Sequence, residues 1–112
     1  ITGVSTAITS SDTTKYSNPS INFYKFNGMV FGTFMFAAKA NTPLSAWTTY
    51  TICNSGAMPS AYRPKTDTKF IISQSNGAGE LVFTKAGSVT YKPWYNAAAQ
   101  YAYGGQVVYR AQ

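Results

Sequence analysis

Trp94, Tyr95, Asn96, Gln100, Tyr101 and Tyr103 crowd flat rings and neutral hydrogen-bonding groups into one short segment. A tryptophan or tyrosine ring offers an apolar face to the C–H side of a pyranose while asparagine and glutamine address its hydroxyls, so a saccharide site needs few charges. Two uses of Trp94 stand open: contact with a ligand, or capping of the core with the tyrosines packed between subunits. Arg63, within Met58-Pro59-Ser60-Ala61-Tyr62-Arg63-Pro64, also has two uses. It could read an anionic group such as a wall-polymer phosphate, or hold its own connector through backbone hydrogen bonds. Trp47 lies in the middle of the alternating run 44–53 and is read as core.

Catalytic chemistry finds little to work with. The chain has no histidine, so neither a Ser-His-Asp nor a Cys-His nucleophile can be assembled. Glycoside hydrolysis needs two carboxyl groups flanking the scissile bond, and Asp12, Asp67 and Glu80 are the whole supply. Asp67 and Glu80 are expected near strand ends, solvated or paired with lysine. With one cysteine and three separated acids, neither a zinc set nor a calcium cage has enough ligands, so no metal and no cofactor are expected. Asn76-Gly77-Ala78-Gly79 lacks the lysine and following helix of a phosphate-binding loop and reads as a turn. The expectation is a binding protein, not an enzyme.

The elements that must position these groups are short strands. Residues 21–38 hold two strand-like runs around Asn27-Gly28, a pair suited to the positive φ angles of a type I′ turn. A two-residue hairpin there sets Phe26 against Met29, Tyr24 against Phe31 and Ile21 against Phe34. One face then carries Asn22, Tyr24, Phe26, Met29, Phe31 and Thr33; the other carries Ile21, Phe23, Lys25, Val30, Gly32, Phe34 and Phe36. The second run is apolar on both faces, which implies that a second surface is covered by another subunit. Further strands are expected at 44–53, 66–74, 80–84, 89–92 and 106–110, with 93–105 irregular and 94–103 the one place for a helical turn. Short strands punctuated by turns indicate an all-β fold, an antiparallel β-sandwich of jelly-roll type.

One domain is the expectation at 112 residues. Charged residues are 11% and aromatics 16%, giving a polar but mostly uncharged surface. The formal charge of +6 comes from scattered lysines and arginines with no basic run, which argues against nucleic acid and for long-range attraction to an anionic polymer or envelope. A lone Cys53 excludes an intrachain disulfide and fits assembly in a reducing cytoplasm. No apolar run approaches the length of a membrane span, so no membrane insertion is expected. Ile1 is not an initiator methionine, and the chain is expected to be a piece of something longer.

The order of these elements resembles the carboxyl-terminal head domains of bacteriophage receptor-binding, baseplate and tail-fibre proteins, especially of phages that infect Gram-positive bacteria. The likeness rests on Lys25-Phe26-Asn27-Gly28-Met29-Val30, a strand running into Ile52, the connector from Met58 to Pro64, then Glu80-Leu81-Val82-Phe83 and Ala86-Gly87-Ser88-Val89. It spans residues 21–112. It implies a homotrimeric head at a fibre tip, carried on the virion and made in the host cytoplasm, that binds host cell-wall or surface polysaccharide. On this reading residues 1–20 lead in from an upstream neck or shaft and 21–112 form the head. No binding residue transfers by position, because the chain lacks the histidine and most of the carboxylates such heads place beside an aromatic. A trimerisation or capping module that binds no sugar, and a carbohydrate-binding module of a larger bacterial enzyme, are the competing expectations.

Overall fold

Asn27 and Gly28 take φ angles of 52° and 74°, closing the hairpin that their chemistry favours. The computed structural model describes residues 1–74, 77–97 and 101–112. Its strands are β1 (Thr2–Ala7), β2 (Ser20–Phe26), β3 (Met29–Ala37), β4 (Tyr50–Cys53), β5 (Thr68–Gln74), β6 (Gly77–Phe83), β7 (Val89–Pro93) and β8 (Ala102–Arg110), with a 3-10 turn at Ser60–Tyr62. They form two antiparallel four-stranded sheets, ordered β1-β2-β3-β8 and β4-β7-β6-β5, packed as a β-sandwich. The pairs β3·β8, β4·β7 and β5·β6 nest within one another, while β1–β2–β3 and β5–β6–β7 run as plain meanders.

The hairpin register is the expected one: Phe26 faces Met29, Tyr24 faces Phe31 and Ile21 faces Phe34. Ile21, Phe23, Val30, Phe34 and Phe36 point inward and are buried. Between the sheets they meet Phe83 and Tyr91 from the opposite layer and Tyr103, Val107 and Tyr109 from β8. Rings dominate this core. Phe83 lies 5.2 Å from Phe34 and 5.2 Å from Phe70, and Tyr103 lies 5.2 Å from Phe36 and 5.0 Å from Tyr91, centroid to centroid. Such edge and offset contacts add to the gain from burying the rings themselves.

The outer face of the first sheet is also apolar along one row. Gly3, Tyr24, Phe31 and Val108 align across all four strands. Tyr24 and Phe31 stack at 5.8 Å, yet remain 44% and 37% exposed, and Val108 is 61% exposed. The two-faced character of β3 inferred from its sequence is therefore present in the fold.

Several boundaries differ from the sequence reading. Strand β4 occupies only Tyr50–Cys53, and the run before it is a loop tied to Ala97 by a single bridge. Glu80 lies inside β6 rather than at its start, because that strand already begins at Gly77. Strand β8 begins at Ala102, well before residue 106, and Gly104 lets it pair closely with β3. A Cβ on Gly104 would come within 2.2 Å of both the Met35 sulfur and the Phe34 carbonyl oxygen. Within residues 1–20, β1 pairs along its length with β2, and Ile8 and Tyr16 enter the core. The helical turn anticipated within 94–103 falls partly outside the described residues, and 94–97 do not form one.

Tyr91 and Tyr103 bury their hydroxyls without a hydrogen-bond partner among the described residues, and burial pushes both phenols above their ordinary range. Leaving a buried polar group unsatisfied costs about 1–3 kcal/mol. Tyr103→Phe is therefore expected to leave the thermal midpoint unchanged or raise it, and a lowered midpoint in calorimetry would contradict that account.

Candidate functional site

Along β7 the side chains of Val89, Tyr91 and Pro93 are buried, so Lys92 and then Trp94 fall on the outer face of the second sheet. The Trp94 backbone N–H donates to the Ala78 carbonyl at 2.9 Å, extending the ladder to β6. Its indole Nε1–H donates to Glu80 Oε2 at 2.7 Å. The other carboxylate oxygen, Oε1, pairs with Lys69 Nζ at 2.8 Å, and Lys92 Nζ lies 3.7 Å from Oε2. Glu80 is thus a bracket that fixes the indole edge.

Foremost the Lys69 hydrogen bond, then that from Trp94, hold the Glu80 carboxyl below its ordinary value of 4.5. A lowered folded-state pKa means stability that is present above pH 4.5 and lost as pH falls through the folded value. The thermal midpoints of wild type and Glu80→Gln are expected to differ at neutral pH and converge below pH 4.5. A gap that persists in acid would mean that the carboxylate charge is not what the bracket uses.

The loop before β4 supplies the second ring. Leu44 and Ala97 exchange backbone hydrogen bonds of 3.0 and 2.8 Å, and the Ser45 N–H donates to Tyr50 Oη at 2.7 Å. The Ala46 N–H donates to Asn96 Oδ1 at 2.9 Å, and the Trp47 N–H donates to the Pro93 carbonyl at 2.7 Å. These anchors hold Trp47 at φ 63°, a left-handed conformation that costs a non-glycine residue about 1–2 kcal/mol. The result is display. Trp47 is 65% exposed and stacks on Trp94, itself 36% exposed, with centroids 5.9 Å apart and planes 19° from parallel. At that separation the rings are slipped past one another, forming a stepped aromatic ledge.

Trp47 is consequently not core, as its place in an alternating run had suggested. The alternation is carried by loop residues, and the chain turns at Trp47 instead of extending through it. No sequence signal marks a tryptophan for positive φ. Glu80 and its two lysines were legible only as a lysine-paired acid; their convergence on an indole comes from the β5–β6–β7 register, in which Glu80 faces Ile71 on one side and Lys92 on the other.

The other sequence-selected residues separate. Asn96 is exposed beside the ledge, with its carbonyl oxygen committed to the loop. Tyr95 is half-buried, its hydroxyl enclosed, and a side chain on Gly77 would come within 2.6 Å of its ring. Tyr101 is half-buried, and its carbonyl accepts from the Ala38 N–H at 3.0 Å. Tyr103 is fully buried against Phe36 and Tyr91, which removes it from any surface site. Gln100 lies outside the described residues. Arg63 donates from Nε to the Met58 carbonyl at 2.8 Å, so its guanidinium holds the connector. A cleft of about 490 Å³ opens next to the ledge loop, between Lys15 and Asn41, with Tyr50 in its wall.

Each of the three carboxylates has a partner. Asp12 accepts from the Thr14 hydroxyl at 2.5 Å and N–H at 2.9 Å, Asp67 from the Lys85 N–H at 2.8 Å, and Glu80 from Lys69 and Trp94. The Cys53 thiol is buried, which pushes its pKa up to about 12 and leaves it unreactive at neutral pH. The sequence matches no protein-family model and no curated protein.

Proposed function

We propose that this chain is a non-catalytic saccharide-binding head, the attachment tip of a bacteriophage tail fibre or baseplate, that engages host cell-envelope polysaccharide. The observation that supports it is the Trp47–Trp94 ledge: two stacked indoles kept at the surface, one by a carboxylate bracket and the other in a strained backbone conformation. Backbone strain concentrates where structure serves binding or catalysis. Weak individual sites suit a fibre, because copies on one particle raise avidity when geometry lets them engage together.

Labelled protein is expected to decorate Gram-positive cells and to bind purified wall oligosaccharides in calorimetry. Trp94→Ala is expected to abolish decoration while light scattering shows an unchanged oligomeric state. Absence of binding to cells and to every wall glycan would overturn the proposal.

One observation favours a second reading, a structural trimerisation module. The exposed Tyr24, Phe31 and Val108 row is apolar enough to seat neighbouring copies. On that reading Phe31→Ser lowers the oligomeric state and cells remain undecorated by the wild type. A trimer that binds glycan keeps the first reading and removes the second, and a monomer at micromolar concentration also removes the second.

A further inference from the structure

We propose that the ledge selects anionic glycans, with the Lys92 ammonium as the group that reads the charge. This rests on the saccharide-binding reading and names the class of saccharide. Each Glu80 oxygen has a partner nearer than Lys92: Oε1 takes Lys69 at 2.8 Å, and Oε2 takes the Trp94 indole at 2.7 Å. At 3.7 Å from Oε2, Lys92 Nζ lies beyond hydrogen-bond range and feels the carboxylate only through its field. Its ammonium hydrogens stay available to an incoming acceptor.

Position strengthens the case. Lys92 lies on β7 and Trp94 just past its end, two residues on and on the same outer face of the second sheet, so a ring seated on the indoles brings its substituents over the ammonium. Two ammonium groups and one carboxylate leave the bracket net positive. Asp67 does not offset this, because it precedes β5 at the end of the sheet remote from Trp94 and is engaged by the Lys85 N–H. The whole chain carries +6, so the long-range field has the same sign as the local one. A stacking ledge by itself would serve neutral sugars; a cation with free donors beside it favours a carboxylate or a phosphodiester.

The test measures affinity for four probes: an oligogalacturonate, a poly(glycerol phosphate), a neutral dextran oligosaccharide and a single-stranded oligothymidylate. Either acidic glycan is expected to bind at least about fivefold tighter than dextran at roughly 0.1 M salt, with the advantage shrinking toward 1 M as screening shortens from about 10 to 3 Å. The two acidic arms distinguish a carboxylate from a phosphate. Lys92→Gln is expected to remove most of the acidic advantage with its thermal midpoint unchanged, whereas Lys65→Gln, between the connector and β5, leaves the advantage intact.

An advantage that survives Lys92→Gln overturns the proposal. So does acidic binding that survives Trp47→Ala, since it would then reflect diffuse charge alone. Oligothymidylate binding as tight as either glycan reassigns the ledge to nucleic acid. Equal affinity for acidic and neutral glycans sinks this inference and leaves saccharide binding standing; no affinity for any glycan sinks both.

Discussion

Truncating Phe83 to alanine is expected to cost about 3–5 kcal/mol, a large share of the ~5–15 kcal/mol that holds a typical domain together. The ring is fully buried on β6 of the second sheet. It contacts Phe23 and Phe34 across the interlayer space at 6.2 and 5.2 Å, Phe70 on its own sheet at 5.2 Å and Tyr109 on β8 at 5.6 Å. Removing it leaves a void bounded by four other rings that two hydrogen-bonded sheets cannot close, so the cavity term adds to the lost transfer free energy. Urea denaturation measures the effect directly. Phe31→Ala is the control: that ring belongs to the exposed row and stacks on Tyr24, so its loss is expected to cost well under half as much. Equal costs at the two positions would mean that the outer row is buried in the protein as it exists in solution.

What the sequence disclosed and what it hid follow from range. The hairpin was legible because Asn27-Gly28 encodes its own turn, and pairing then propagates outward with a period of two. The inward placement of Phe23, Phe34 and Phe36 came with it. The meander of β5, β6 and β7 was legible for the same local reason, although Gly77 and Gly79 read as turn residues when they are strand residues. Gly79 is glycine because a Cβ there would come within 2.4 Å of the Tyr91 hydroxyl, a constraint imposed by another strand.

The binding ledge was hidden for the opposite reason. Its parts come from three places in the chain: the loop before β4, the middle of β6 and the end of β7. Only cross-strand register and the Leu44–Ala97 bridge bring them together. Trp94 was found because it lies in a visibly ring-rich segment. Tyr103 was selected on the same composition, and the fold sends it inward because β8 starts early and alternates from Ala102. Composition identified the type of surface; register decided which rings reach it.

Replacing Trp47 with glycine is the sharpest separation of stability from function that this fold offers. Glycine adopts φ near +60° freely, so the substitution relieves about 1–2 kcal/mol of backbone strain. Against that stands the loss of one offset stack, worth about 0.5–1.5 kcal/mol, and of the modest burial of a ring that is 65% exposed. The terms oppose one another at similar size, and the net change in unfolding free energy is expected to stay within about 1 kcal/mol of zero. Binding has no such compensation. Loss of a displayed tryptophan that anchors a ligand typically removes about 2 kcal/mol or more, so glycan affinity is expected to fall at least about 30-fold. Calorimetric titration with wall oligosaccharide and thermal unfolding of the same preparation measure both quantities. A variant that loses stability and binding together would make Trp47 a structural brace. One that keeps both would leave its strained backbone without a function, and the ledge would then have to be reduced to Trp94 alone.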